Sequence, residues 1–328
     1  MATRTIAWET GEGNIYLDYT GNGNGNIVVT SDPNNLGVPR SKQIVVKTAD
    51  NAVSRQLTIN QEANYQLQYF TLTALEIGSF SLEVPAGITA TEIPGGVSYS
   101  VDGGTTWVTT QITSEAQTIT TPIIARGANV MWKAIANRFG TSSSNYCKFT
   151  STGFFEASGN IMSLEYGDNF ANQTSVKNYT YSFYGLFAFS TKLISAKNIM
   201  LPATTLREHC YQAMFSGCNA LTNGPELPAT ILANACYRSM FMNCSSITDA
   251  PKLRATTLVT NCYYTMFSNC SKLSGIICLA TKISASGCTT NWVNGVGANG
   301  TFTKAANMSS WTTGANGIPS GWTVNDYQ

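Results

Sequence analysis

The chain has 328 residues, a length sufficient for two or three domains. Only 11% of the residues are charged and the formal net charge is +1, with no Lys/Arg cluster that could neutralise a run of phosphates, so nucleic acid is not expected as a partner. No stretch of about 18 apolar residues occurs, which predicts no membrane insertion. The abundance of Gly, Asn, Ser and Thr is typical of turn-rich β structure.

Residues 1–63 are predicted to form a small β-sandwich. Ile15, Leu17 and Tyr19 alternate with polar residues, as in a strand with one buried face. The segment GNGNGN at 21–26 is interpreted as a hairpin turn, because it lacks the Lys-Ser/Thr of a phosphate-binding loop and no helical pattern follows it.

A resemblance to a known module appears in the second half of this region. Arg40, a strand at 44–47, a strand at 53–61 and the closing INQEA follow one another in an order that resembles a BACON domain. This family is an immunoglobulin-like module of Bacteroidetes proteins and their phages. The resemblance implies an immunoglobulin-like sandwich with a proposed affinity for carbohydrate or mucin.

Residues 64–170 are predicted to form a second β-rich domain. Apolar and polar residues alternate over 97–101, and the following SVDGGTTW at 100–107 is similar to the Asp-box of sialidase propellers. The resemblance implies that Asp102 bonds the amides of the turn and that Trp107 packs beneath it. A glycan hydrolase is a remote alternative, since it needs several such boxes, an arginine cluster and a Tyr nucleophile with its acid partner.

A repeat with a period of 26 residues dominates residues 171–288. The pattern Phe-x-x-Cys-x-x-Leu/Ile begins at Phe215, Phe241 and Phe267, and Phe187 starts an earlier copy that is 28 residues away from the next. A single unit of this size cannot bury its apolar edge alone, so we expect the units to stack.

Within a unit, the apolar residues suggest a short helix followed by an extended segment. Cys210, Met214, Phe215 and Cys218 have the spacing of one face of a helix. The next residues, 221–228, are interpreted as the extended segment.

The motif YxxMFxxCxxLxxxxxLPAT is similar to the BspA-type leucine-rich repeat of Bacteroidetes surface proteins. The resemblance implies a short solenoid, and we expect residues 289–328 to cap it with Trp292, Trp311 and Trp322. The predicted fold is therefore mainly β and multidomain: an immunoglobulin-like sandwich, a β-rich domain, and an α/β leucine-rich-repeat solenoid with a C-terminal cap.

Nine cysteines are present, and the repeat arranges seven of them in two ladders. One ladder comprises Cys210, Cys236, Cys262 and Cys288, and the other comprises Cys218, Cys244 and Cys270. We favour reduced thiols in the core; disulfides between coils and a metal site are the alternatives. Zinc has few ligands to draw on, because the chain has no Cys-x-x-Cys pair and a single histidine, His209.

No catalytic constellation is visible in the sequence. His209 is replaced by Ala235 and Asn261 in the following units, which indicates a variable surface position. We therefore predict no catalytic residue, no cofactor, no metal and no enzymatic activity. Asn243 and Asn269 precede x-Ser/Thr but share a slot with Gly217, so they are interpreted as turn residues and not as glycan acceptors.

The modules together suggest recognition or scaffolding. The BACON-like strands, IMSLEYGDNF at 161–170 and the repeated coils resemble proteins of gut Bacteroidetes and of the crAss-like phages that infect them. We favour a phage virion surface component, such as a head fibre, capsid decoration or tail-fibre part, made in the host cytoplasm. The absence of a recognisable leader and the unpaired thiols motivate this choice over a secreted cell-surface adhesin.

The expected partners are other virion proteins, further copies of the chain, and a host or mucosal polysaccharide. Aromatic side chains are the usual platforms for sugars, so four tyrosines beside the cysteine ladder are candidate glycan contacts. These are Tyr211, Tyr237, Tyr263 and Tyr264, for which a role in the core is the open alternative.

Overall fold

The structure is a computed structural model that describes residues 2–7, 14–19, 27–31, 40–47, 54–61 and 67–328. The chain divides into two compact units, Met1–Gln68 and Tyr69–Gln328. The fold is mainly β, as predicted. Among the described residues, helical structure is confined to the helix α1 (Ser163–Tyr166) with its adjoining 3-10 turn, Gly167–Asn169, and to Leu67.

The first unit contains a three-stranded sheet and a hairpin. Strands β1 (Ala2–Ala7), β2 (Asn14–Tyr19) and β3 (Ile27–Ser31) pair antiparallel in that order, and β4 (Arg40–Lys47) pairs antiparallel with β5 (Ser54–Gln61).

The small core of this unit draws on both groups of strands. Ile15, Leu17 and Ile44 are buried together, with Val29 and Ile59 packed against them. The predicted turn at 21–26 and the last two residues of INQEA lie outside the described residues.

The second unit begins with two sheets that pack face to face. The strands of the whole second unit are β6 (Phe70–Ala74), β7 (Phe80–Val84), β8 (Val97–Ser100), β9 (Val108–Thr110), β10 (Gln117–Thr120), β11 (Asn129–Ala134), β12 (Gly140–Ser142), β13 (Asn145–Tyr146), β14 (Lys148–Ser151), β15 (Phe155–Asn160), β16 (Leu193–Met200), β17 (Gly275–Cys278), β18 (Thr301–Ala305) and β19 (Thr323–Tyr327). One sheet has the order β16-β15-β6-β11-β8-β9 and the other has the order β10-β7-β14. Aromatic side chains fill the space between them: the Phe149 ring lies 5.4 Å from that of Phe70 and 5.0 Å from that of Trp132.

The repeat region continues directly from the first of these sheets. Strand β16, from the first coil, pairs parallel with β15, and the buried residues form one continuous core from Phe70 to Trp322. The extended segments of later coils are joined by isolated parallel bridges, such as Thr205 to Ile231. At the C-terminal end, β17, β18 and β19 form a parallel sheet.

The helix predicted in each repeat is wrong, because the backbone alternates between two kinds of hydrogen bond. The N–H of Met214 donates to the carbonyl of Tyr211 within the coil (3.3 Å), whereas the N–H of Tyr211 donates to Cys236 of the next coil (3.0 Å). Likewise, the N–H of Phe215 donates to the carbonyl of Met240 (2.9 Å). The segment is a chain of tight turns that bonds sideways at every second residue.

A positive φ at every fourth residue prevents a right-handed helix in these turns. In three successive coils these residues are His209, Ala213 and Gly217, then Ala235, Ser239 and Asn243, then Asn261, Thr265 and Asn269. Asn tolerates this conformation better than most residues. The interpretation of Asn243 and Asn269 as turn residues is confirmed by φ angles of 63° and 61°.

Candidate functional site

A ladder of stacked phenylalanine rings runs through the interior of the coils. Phe187, Phe215, Phe241 and Phe267 are buried, and successive ring centroids are 5.5, 5.4 and 5.6 Å apart with interplanar angles below 10°. The irregular spacing between the first two copies in the sequence therefore leaves the stacking intact. These residues hold neighbouring coils together.

A second buried ladder contains three of the four predicted glycan-contact tyrosines. Tyr211, Tyr237 and Tyr263 are at most 2% exposed, and their rings stack at 5.9 and 6.3 Å. They face the interior because they occupy the same inward column as Phe183, whose ring lies 5.8 Å from that of Tyr211. These three tyrosines cannot contact a glycan in the folded protein. Tyr264, which points out of the ladder, remains accessible.

The ladder ends on tryptophans from the C-terminal segment. The ring of Trp292 stacks 6.1 Å from Tyr263 and 5.6 Å from Trp311, and its Nε1–H donates to the carbonyl of Gly317 (2.8 Å). The indole of Trp322 donates to the carbonyl of Gly297 (2.8 Å). These contacts place large apolar rings at the end of the stack.

The hydroxyl of Tyr211 gives a test of this packing. It is buried and has no hydrogen-bond partner among the described protein groups. Since a buried unsatisfied hydroxyl costs about 1–3 kcal/mol, Tyr211→Phe is expected to raise the free energy of unfolding by about 1 kcal/mol in urea denaturation. Phe183→Tyr is the matched control and should be destabilising. A loss of stability in Tyr211→Phe would contradict the prediction.

The cysteines of the second ladder connect the coils by hydrogen bonds. The thiol of Cys218 donates to the carbonyl of Phe187, that of Cys244 to Phe215, and that of Cys270 to Phe241, each at 3.0 Å. All nine cysteines are free and buried. In the first ladder, the backbone carbonyls of Cys236, Cys262 and Cys288 each accept a hydrogen bond from the preceding coil. These cysteines therefore occupy equivalent positions in successive coils.

Burial also determines the chemistry of these thiols. It raises the pKa of Cys210, Cys218, Cys262 and Cys270 to about 12, and that of Cys236 and Cys244 well above the ordinary value. At neutral pH these groups are therefore protonated. A protonated, buried thiol is a poor nucleophile, and these thiols pack between neighbouring coils.

A second group of aromatic and polar side chains lies on the outer side of the coils, mostly in two columns of the repeat. We call this surface the lateral stripe; its partly exposed members are Tyr146, Tyr181, His209, Arg238 and Tyr264, and the buried side chains of Tyr184 and Gln212 support them. The column Tyr184, Gln212, Arg238 and Tyr264 follows the repeat period, as does Tyr181 with His209. The stripe differs from coil to coil while the interior repeats.

Contacts along the lateral stripe are aromatic and polar. The His209 ring stacks on Tyr181 at 4.5 Å and an interplanar angle of 7°, and its Nδ1 lies 2.5 Å from the Oε1 of Gln212. The guanidinium of Arg238 lies 4.5 Å from the centre of the Tyr264 ring. Such rings and neutral polar groups suit a polyhydroxylated ligand.

Tyr146, Tyr181, Tyr184 and Arg238 were not identified from the sequence. Aligning the coils on their common period would have found the last three, because they share columns with His209 and Tyr264. Tyr146 lies before the repeat, and only the fold brings its ring to within 4.9 Å of Tyr184.

The predicted Asp-box forms a closed hairpin turn between β8 and β9. Asp102 accepts hydrogen bonds from the backbone N–H of Thr106 (2.9 Å) and from the hydroxyl of Ser100 (2.7 Å). The hydrogen bond from the Thr106 hydroxyl, together with these two, lowers the pKa of Asp102 to about 2. Trp107 donates to the carbonyl of Gly104 and packs 5.0 Å from Tyr69. The carboxylate of Asp102 therefore stabilises the turn.

Among the described residues, no cluster of three or more His, Cys, Asp or Glu side chains could hold a metal ion. In that same part of the chain, no helix has the length and apolarity needed to cross a membrane.

Comparison with known proteins adds no assignment to this geometry. No protein-family model, no curated protein and no solved structure matches the chain.

Proposed function

We propose that the protein is a non-enzymatic structural and adhesion component of a phage virion surface, such as a head fibre, capsid decoration or tail-fibre part. In this proposal the repeat region is a BspA-type leucine-rich-repeat solenoid with a C-terminal cap, and the first unit is a BACON-like immunoglobulin domain. The chain acts as a spacer that carries the lateral stripe to host or mucosal glycans.

One observation carries the proposal: an uninterrupted stack of buried rings continues from Phe139 to Trp292. Phe139 stacks on Phe183 at 6.1 Å, and Tyr263 stacks on Trp292 at 6.1 Å at the other end. Each coil thereby uses its neighbours as core, which makes a stiff, extendable element. Spacers of this kind support weak contacts, and many copies on one particle multiply weak affinities.

The thiols favour assembly in a reducing compartment. Nine buried, unbridged cysteines suit a protein that folds inside a cell and joins a particle there. We therefore propose the virion surface as its location, with other virion proteins and further copies of the chain as partners.

Mass spectrometry of purified particles tests the location. The chain is expected in washed virions at a stoichiometric ratio to the major capsid protein, and it should be depleted from outer-membrane fractions of the host. Presence in the outer membrane and absence from virions would instead support the secreted cell-surface adhesin.

A further inference from the structure

A groove of about 490 Å³ lies on the outer face of the sheet β10-β7-β14. Its polar lining comprises Glu83, Gln117, Thr118, Ser144, Tyr146 and Lys148. The volume falls within the range of roughly 300–1,000 Å³ that is usual for small-ligand clefts.

The strand register builds the floor of this groove. Thr118 pairs with Glu83 across β10 and β7, and Lys148 pairs with Glu83 across β14 and β7. The three side chains therefore form one polar row perpendicular to the strands. The opposite face of the sheet carries Leu82 and Phe149 into the core, so the row is held on a rigid support.

The charges in the groove cancel. Lys148 Nζ lies 3.1 Å from Glu83 Oε2, and the two side chains are 34% and 44% exposed. An exposed pair of this kind contributes little to stability, which leaves both groups free to exchange partners with a ligand. A phosphate or sulfate on the lysine would face the carboxylate, so the groove favours a neutral ligand.

The wall of the groove joins it to the lateral stripe. The ring of Tyr146 contacts Tyr184 of the stripe at 4.9 Å. It also lies against Gly185, where any side chain would collide with the ring. The ring is thus fixed at the boundary between the two surfaces, next to a carboxylate, an ammonium, an amide and hydroxyl groups.

We propose that this groove binds a neutral oligosaccharide of a few sugar rings, with the polar row bonding sugar hydroxyls and Tyr146 flanking a ring face. The inference rests on the proposed glycan contact and gives that contact a site. A chain of sugars leaving the groove past Tyr146 meets the lateral stripe, in which the buried ring of Tyr184 lies between those of Tyr146 and Tyr181.

The test uses the full chain, a panel of neutral di- to tetrasaccharides of glucose, galactose, mannose and N-acetylglucosamine, and sialylated or sulfated counterparts, by isothermal titration calorimetry. Capsular polysaccharide of the host is the second probe, in a pull-down. The groove variant is Glu83→Gln with Lys148→Met, which removes both charges. Its control is Glu226→Gln with Arg254→Met, which removes an exposed ion pair of 3.5 Å elsewhere.

At least one neutral oligosaccharide is expected to bind the parent chain. The affinity of the groove variant for it should be lower by tenfold or more, and that of the control variant should equal that of the parent. Thermal unfolding by circular dichroism checks that both variants fold. Tighter binding of the anionic glycans, or equal binding by parent and groove variant, would overturn the proposal.

Failure of the groove is distinguishable from failure of the proposed function. If Arg238→Ala with Tyr264→Ala abolishes polysaccharide binding and the groove variant does not, adhesion stands and the groove proposal falls. If the parent chain binds neither probe, both the groove and the adhesive part of the function are wrong.

Discussion

Replacing Phe241 by Ala is expected to lower the free energy of unfolding of the second unit by about 3–5 kcal/mol. The ring is fully buried and stacks on Phe215 at 5.4 Å and on Phe267 at 5.6 Å. Truncation leaves a cavity that two coils share, because each coil obtains its core from its neighbours. Urea denaturation followed by circular dichroism measures the loss.

The matched control lies on the surface of the same region. Ile231 is 60% exposed, so Ile231→Ala should change the free energy of unfolding by no more than about 0.5 kcal/mol. Similar losses in the two variants would show that the ring ladder does not carry the stability of the coils.

The stacking of the coils could be predicted because the 26-residue period is visible in the sequence, whatever the backbone conformation of each unit. Residues at one period apart must occupy equivalent positions, so the columns Phe215, Phe241, Phe267 and Cys218, Cys244, Cys270 could be written down from the sequence. The structure places both columns inside. The buried state of the thiols followed from the same regularity.

The path of the backbone within a coil could not be predicted in this way. Spacings of four, one and three between apolar residues fit a helix, yet they also fit a chain of turns in which alternate residues bond sideways. The distinguishing feature is the positive φ of residues such as Ala213, Ala235 and Thr265, at 54°, 51° and 48°. Ala and Thr carry no local signal for that conformation; neighbouring coils impose it through hydrogen bonds.

The same limit left the choice between core and surface open for the tyrosines. Tyr263 is 1% exposed while Tyr264, the next residue, lies on the lateral stripe with the Arg238 guanidinium over its ring. In a helix, the side chains of both could reach the surface. In a chain of tight turns, adjacent side chains point in different directions. Predicting a helix in place of these turns therefore does not show which of the two side chains is buried.

The second large prediction is a pH dependence of stability that arises from a buried carboxylate at the start of the repeat region. Glu165 lies in α1 with its side chain fully buried, and one carboxylate oxygen accepts the backbone N–H of Lys177 (2.9 Å). The ammonium of Lys177 donates a hydrogen bond to the carbonyl of Ala136 (2.7 Å). Burial outweighs the hydrogen bonds to the carboxylate and raises the pKa of Glu165 to about 7.

The direction of the pH dependence follows from this raised pKa. The folded state holds the proton of Glu165 up to about pH 7, whereas an unfolded glutamate releases it near 4.5. Stabilisation is therefore complete below pH 4.5 and is lost as the pH rises through 7. The difference of about 2.5 between the two pKa values corresponds to about 3 kcal/mol, of which about 2 kcal/mol falls between pH 5.5 and pH 8.

Glu165→Gln tests this assignment, because glutamine has the shape of the protonated acid and does not titrate. Between pH 5.5 and pH 8 the parent chain should lose about 2 kcal/mol more unfolding free energy than the variant, because the contributions of all other groups are common to both. Glu115→Gln, at an exposed position, should leave the pH dependence of the parent unchanged. The window avoids the acidic range, where Asp102, Asp168 and Glu92 with lowered pKa values act in the opposite direction. Unfolded thiols begin to ionise at its alkaline end, and they do so equally in parent and variant. Equal losses of stability in the parent and in Glu165→Gln between pH 5.5 and pH 8 would show that Glu165 stays ionised in the folded protein.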